Sequence, residues 1–173
     1  MIVSGKSLKH LLEIAGVDTS KGKAKLLVES LYVTNWLDNN GIHGYSINNG
    51  KINVNGDVRL KDGLGIPNVV MFGEVTGDFL FGGGIVKTLR GCPKNIGTGT
   101  FGGNFLCAFN ELSNLIGGPK MVNGIYSAVG NPLTSISGLP TFVDSDLKLP
   151  KSVQHLEQQI RKICKIGGEL KFQ

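Results

Sequence analysis

Gly5-Lys6-Ser7, just ahead of an apolar segment, has the residue types that close a phosphate-binding loop: glycine for backbone approach, lysine for phosphate charge, a hydroxyl for magnesium. The earlier glycine that would wrap the phosphates is missing and no acidic strand end follows, so an ordinary helix start is expected there. Gly82-Gly83-Gly84 and the stretch from Gly97 to Gly103 offer N–H groups of the kind that cradle anions. Neither leads into a helix N-terminus, and turns of a repeat account for both. His10, His43 and His155 lie in three separate segments with no carboxylate or cysteine at ligand spacing, so no metal centre is expected. Cys92, Cys107 and Cys164 form no CxxC pair, which supports neither a disulfide framework nor a zinc knuckle and fits a reducing compartment. Cys107 falls in an inward strand slot as a small core residue, whereas Cys92, before a turn proline, is the one thiol worth testing for reactivity. These residues predict no catalytic site, no metal and no cofactor, and the chain is read as a non-enzyme.

The elements that position these residues follow from an internal repeat. Gly103, Phe105, Cys107, Asn110, Leu112, Leu115, Gly117 and Pro119 recur 21 residues later as Gly124, Tyr126, Ala128, Asn131, Leu133, Ile136, Gly138 and Pro140. An earlier copy runs from Gly77 through Phe79, Phe81, Val86, Leu89, Gly91 and Pro93, and a degenerate one starts at Gly56. The step from Gly77 to Gly103 is 26, which places an insertion of about five residues around Asn95 to Gly102, where Gly99-Thr100-Phe101 could also start a strand. A truncated fifth copy begins at Ser145. Each unit reads as a short strand, apolar at alternate positions, then a turn and a return arm with a second apolar pair. One unit cannot bury its apolar side alone; stacking units at strand spacing does so, given caps at both ends.

Asn110 and Asn131 share the slot where the strand ends, and a buried amide there can satisfy backbone groups of its own and the next unit. The earlier units carry Gly84 and Gly63 instead, so such a ladder is expected to be incomplete at that end. If Phe79, Phe81, Phe105, Cys107, Tyr126 and Ala128 point inward, Leu80, Leu106, Ile125 and Val129 point outward. That predicts an apolar stripe on the strand face, flanked by Asp57, Arg59, Lys61 and Asp78. Contiguous exposed apolar surface marks a partner site. The candidate partner-binding residues are therefore Leu80, Leu106, Phe109, Ile125, Val129, Arg59 and Lys61, with a terminal helix or a second copy of the chain as alternative occupants of the stripe.

The chain is organised as a single domain: a helical cap over 1–44, a hairpin lead-in over 45–55, repeats over 56–149 and a C-terminal cap over 150–173. Leu8, Leu11, Leu12 and Ile14, then Leu26, Leu27, Leu31, Val33, Trp36 and Leu37, have helical spacing, with Gly16 and Gly22 as breaks. Asn49-Gly50 between two alternating segments predicts a two-residue hairpin. After Pro150, Ser152 is expected to cap a helix with Val153, Leu156, Ile160 and Ile163 on one face, ended by Gly167-Gly168 and shielding the last coil. Glu169 to Phe172 could add a short strand.

At 173 residues with 40% apolar content, one continuous core is the expectation, and 26 glycines are roughly twice ordinary usage. Eighteen basic residues against 13 acidic give a formal +5, gathered near Lys21, Lys23 and Lys25 and near Arg161, Lys162 and Lys165. Nucleic acid is thus a conceivable but second-ranked partner, since short basic clusters are common on solvated helix faces. No segment approaches the ~20 apolar residues of a membrane span, and no signal-peptide core is present, so a soluble protein without a membrane partner is expected.

Phe105-x-Cys107-x-x-Asn110-x-Leu112-x-x-Leu115 resembles the leucine-rich repeat pattern, with Asn110 in its asparagine slot. The phrases Gly-Asn-Phe-Leu-Cys from Gly103, Asn-Glu-Leu-Ser-Asn-Leu from Asn110 and Gly-Gly-Pro-Lys-Met-Val-Asn-Gly from Gly117 look like those of repeat proteins encoded by tailed bacteriophages. Trp36-Leu37-Asp38-Asn39-Asn40-Gly41-Ile42 resembles their usual lead-in. This resemblance covers about residues 33 to 143. With the repeat and the two ends as read above, the expected fold is an α/β solenoid, a short leucine-rich-repeat-like stack of about four coils with parallel strands, a helical N-terminal cap and a C-terminal helix. The resemblance also implies a phage origin and a binding role. The resulting expectation is an interaction module, cytoplasmic in an infected bacterial host, that docks its strand face or its glycine-rich insertion on a host protein. It would inhibit or redirect that protein in anti-defence or host takeover. A nucleic-acid-binding accessory protein and a virion structural component are the alternatives.

Overall fold

The computed structural model describes residues 22–61 and 65–173, together with His10, Glu13, Asp18 and Ser20. They fall into two compact units divided between His43 and Gly44.

In the first unit, helix α1 spans Gly22–Asn39. It starts at the glycine where a break was expected and stops in a Schellman motif. The Ile42 N–H donates to the Leu37 carbonyl and the Gly41 N–H to that of Asp38, both at 2.9 Å, and Leu37 and Ile42 are buried. Leu31, Val33 and Trp36 are half-buried and Leu27 is exposed. The apolar series from Leu8 to Ile14, the Gly16 break, Lys6, Ser7, Lys21 and Gly63 lie outside the described residues, as do the side chains of Lys23 and Lys25.

The second unit is α/β, with two sheets that are parallel in every pairing except that of the first two strands. Strands β1 (Tyr45–Asn48) and β2 (Lys51–Val54) form the expected hairpin, and Asn49 and Gly50 both have the positive φ its turn requires. From there the chain alternates between sheets. The first sheet takes β2, β4 (Phe72–Val75), β6 (Asn95–Ile96), β8 (Met121–Val122), β10 (Phe142–Val143) and β12 (Lys165–Ile166). The second takes β3 (Val58–Leu60), β5 (Phe79–Phe81), β7 (Phe105–Leu106), β9 (Tyr126–Ser127), β11 (Leu147–Leu149) and β13 (Leu170–Phe172). Neighbours within each sheet are matching segments of successive repeats: Phe79 pairs with Val58 and Phe105, Tyr126 with Phe105 and Leu147.

Five expectations change. Each repeat holds two strands rather than one, because Val54, Val75, Ile96, Val122, Val143 and Ile166 form a second inward column one short turn before the expected strands. The stack does not stop at about four units: β11 completes a fifth, and β12 and β13 add to both sheets beyond it. The C-terminal helix, a 3-10 turn over Lys151–Leu156 leading into α2 (Glu157–Ile163), is consequently the return arm of the fifth repeat and not a lid over the last one. It ends at Cys164, whereas Gly167-Gly168 turn the chain from β12 into β13. Ser152 makes no cap; its hydroxyl donates to the Leu133 carbonyl at 2.8 Å, tying this arm to the preceding one. Val153 and Ile160 are buried, Leu156 half-buried and Ile163 exposed.

The insertion can be placed by register. Val75 pairs with Ile96, 21 residues on, while Phe79 pairs with Phe105, 26 on, so the extra residues lie between β6 and β7. Gly99-Thr100-Phe101 is bend and turn rather than strand.

The core lies between the sheets and is closed by the return arms. Phe79 and Phe105 stack at 5.9 Å, Tyr126 follows at 5.1 Å, and Phe72 of the first sheet meets Phe79 edge-on at 5.2 Å. Val86, Leu112 and Leu133 form one buried arm column, Leu89, Leu115 and Ile136 another. Each such side chain contributes roughly 1.5–3 kcal/mol by burial.

Candidate functional site

Three side-chain rows run across the outer side of the second sheet. Its register aligns Arg59, Leu80, Leu106, Ser127, Lys148 and Lys171 in the middle row. One residue pair toward the preceding turn lie Asp57, Asp78, Asn104, Ile125, Asp146 and Glu169; on the other side lie Lys61, Gly82, Ala108, Val129, Pro150 and Gln173. The inward set is as expected, with Phe79, Phe81, Phe105, Cys107, Tyr126 and Ala128 all buried. The outward set is brought to one face, but not as a continuous open stripe. Leu80 and Leu106 are adjacent and half-buried; Ile125 sits between Asn104 and Asp146 one row away and Val129 one row away on the opposite side, both half-buried. Arg59 is exposed and pairs with Asp57 at 3.1 Å, and Lys61 is exposed.

Phe109 stands apart. It is 69% exposed and holds φ +54°, a backbone region that costs a non-glycine residue roughly 1–2 kcal/mol. Its slot in the next repeat is Gly130, also left-handed, and the Phe109 ring lies where a Gly130 Cβ would stand. Glycine therefore fits this slot, and phenylalanine occupies it at the expense of both strain and hydration.

Two hydrogen-bond ladders brace the ends of these strands. At the far end, the Asn131 amide donates to the Cys107 and Ala128 carbonyls, both at 2.9 Å, and its oxygen accepts from the Leu112 N–H at 3.1 Å. Asn110 does the same one repeat earlier, donating to Gly82, Cys107 and Ala108 carbonyls and accepting from the Val86 N–H. An asparagine ladder is thus formed, but it reaches back to the preceding repeat and not forward to the next one as expected. The second ladder, at the turn between the sheets, was missed. Asp57 accepts from the Asp78 N–H at 2.9 Å, Asp78 from the Asn104 N–H at 2.8 Å, and Asn104 from the Ile125 N–H at 2.8 Å; Asp146 accepts from the Glu169 N–H at 3.0 Å. Its signal was present in the Gly-Asp and Gly-Asn pairs that precede the strands. The Asp78 N–H and then the Arg59 guanidinium hold the Asp57 carboxyl below the usual range; Lys171 and then the Glu169 N–H do so for Asp146.

Beside this ladder the insertion roofs a cleft of about 600 Å³. Its floor is the Asp57, Asp78 and Asn104 row with Asn55 and Thr76; its wall is the loop from Gly99 to Gly103. Phe101 at the loop tip is fully exposed. Among the described residues no lysine, arginine or histidine lines this cleft, and the N–H groups of Gly97, Gly99, Gly102 and Gly103 are already given to carbonyls, which removes the anion cradle considered for this stretch.

The three thiols are buried, and burial raises the pKa of each, that of Cys164 to about 11. Cys92 therefore loses its candidacy as a reactive group. His10, His43 and His155 are exposed, and no group of histidine, cysteine or carboxylate residues suited to a metal ion occurs among the described residues. Arg161 is paired with Glu157 at 2.8 Å, and Lys162 and Lys165 are exposed. No helix among the described residues is long and apolar enough to cross a membrane. Compared with known proteins, the chain matches no family model, no curated protein and no solved structure.

Proposed function

We propose that this chain is a leucine-rich-repeat-like solenoid of phage origin that uses the outer face of its second sheet to bind a host protein. It acts by occlusion, inhibiting or redirecting that protein, rather than by catalysis. The observation that carries this reading is Phe109: a large aromatic side chain held in solvent, in a left-handed slot that glycine fills one repeat later. Strain retained at an exposed position is accounted for when the side chain has a partner. Leu80 and Leu106 lie side by side in the middle row of the outer face, with Arg59 and Lys61 along one edge, giving an apolar anchor with a charged rim. The cytoplasm of an infected bacterium is the compartment this role requires.

Affinity capture from bacterial lysate with wild type, Phe109→Gly and a Leu80→Asp plus Leu106→Asp variant tests it. Phe109→Gly is expected to fold at least as stably as wild type, gaining up to about 1 kcal/mol from relieved strain, while losing the captured protein. Equal recovery of the same protein by all three, each folded by circular dichroism, rejects the face.

A further inference from the structure

We propose that the cleft between the Gly99–Gly103 loop and the Asp57, Asp78, Asn104 row is a carbohydrate-binding site that takes a neutral glycan. This goes beyond protein docking on the strand face and does not depend on it.

The loop is held rigidly on both sides. Gly97 and Gly99 donate their N–H groups to the Val75 and Thr76 carbonyls at 3.0 and 3.2 Å, in the repeat before. The Gly103 N–H donates to the Asn123 carbonyl at 3.2 Å and the Asn123 amide returns to the Gly97 carbonyl at 3.0 Å, in the repeat after. Gly97 and Gly102 have φ near +70°, and a Cβ on either would run into backbone, of Gly103 and of Asn123 respectively. The insertion is therefore anchored by its backbone to both neighbouring repeats, and what it holds out is one aromatic ring, Phe101, exposed over its whole surface.

The lining sets the ligand's chemistry. With no basic side chain, the cleft repels phosphate, sulfate and carboxylate ligands. A cation is drawn only feebly, because the Asp57 carboxylate is already bound by Arg59 and by the Asp78 N–H, and one oxygen of Asp78 by the N–H and amide of Asn104. The capacity that remains is mixed. The second oxygen of Asp78 accepts, the Asn55 amide donates, and the Thr100 hydroxyl does either. Sugar hydroxyls are donors and acceptors at once, so alternating partners of this kind satisfy them. The C–H face of a pyranose ring suits the negative face of the Phe101 ring. A volume of about 600 Å³ lies within the range of ordinary small-ligand sites.

The test uses the whole chain on sensors bearing maltohexaose, cellohexaose, chitohexaose or mannohexaose, with a hexa-arginine peptide as the cationic comparison. Wild type is expected to bind at least one of the four glycans without loss as salt rises. Phe101→Ala should weaken that binding roughly tenfold or more, Phe101→Trp should keep it, and Thr100→Val should weaken it less than Phe101→Ala. Phe101 makes no buried contact, so unfolding does not confuse the result, and circular dichroism checks it. Failure to bind any of the four glycans, equal binding by Phe101→Ala, or binding of the arginine peptide alone with loss at high salt overturns the proposal. Loss of the host protein through Phe109→Gly would leave all of these readouts unaffected, so the two sites fail separately.

Discussion

Two corners of each repeat solve the same backbone problem with different side chains. Where the second-sheet strands end, Asn110 and Asn131 are 5% and 4% exposed, and each amide answers three carbonyls and one N–H. Where the strands begin, Asp57, Asp78, Asn104 and Asp146 each answer one backbone N–H of the next repeat, and solvent or exposed polar side chains meet the rest of the group. Burial dictates the difference. A buried corner needs donors as well as an acceptor and tolerates no charge, which only asparagine among short side chains provides; an open corner needs one acceptor, and aspartate serves. The buried corner is thereby committed to stability, while the open one keeps bonding capacity for a ligand.

Breaking the buried corner should have the largest effect. Asn131→Ala strands the Ala128 carbonyl and the Leu112 N–H away from water, while the Cys107 and Val129 carbonyls keep the Asn110 amide and the Phe109 N–H, and is expected to cost about 3 kcal/mol; Asn131→Asp should cost more still, since its charge would face carbonyls. A drop in urea midpoint with unchanged slope would show it, and a loss under 1 kcal/mol would reduce both residues to simple turn formers. The open corner should respond less. Asp78→Ala is expected to cost about 1 kcal/mol and Asp78→Asn nearly nothing, because the Asn104 N–H keeps an oxygen partner only in the second. Equal losses for Asp78→Ala and Asn131→Ala would erase the distinction between the corners.

The same contrast explains what could be seen in the sequence. The second-sheet strands were placed correctly because Phe79, Phe105 and Tyr126 are large, regularly spaced and buried, and Asn110 and Asn131 stood out as polar residues in an apolar frame. Beyond its hairpin, the first sheet was hidden because its strands are two to four residues long and each repeat contributes a single fully inward side chain to most of them, such as Ile96 or Val122. Two-residue strands carry no periodicity to detect; only the column Val54, Val75, Ile96, Val122, Val143, Ile166 across repeats reveals them. The cleft was concealed for a different reason. Asp57 and Asp78 were visible as a charged flank, and the insertion as a break in the 21-residue step, but the register alone shows that both belong to one turn. Phe109 was selected as an apolar anchor, yet its left-handed backbone, which now distinguishes it from Leu80 and Leu106, has no counterpart in residue type.

Acid should separate the corners without mutation. Asp57 and Asp146 have carboxyl pKa values below the ordinary one, from the Asp78 N–H and Arg59 in one case and from Lys171 and the Glu169 N–H in the other. A depressed folded-state pKa means that the contribution to stability is present above the unfolded value near about 4 and is lost as pH falls through the folded value. The asparagine corner has nothing to titrate. Amide hydrogen exchange, corrected for its intrinsic pH dependence, should therefore show the Asp78 and Glu169 N–H groups losing protection below about pH 4 while those of Val86 and Leu112 keep theirs. Asp57→Asn should make protection at Asp78 independent of pH and leave Glu169 responding as before. Because solvent reaches both carboxylates, Asp57 more than Asp146, the change should be local and small, visible at single amides before it moves the unfolding midpoint. If all four amides lost protection together, the two ladders would be one cooperative unit, and the division between a corner for stability and a corner for binding would fall.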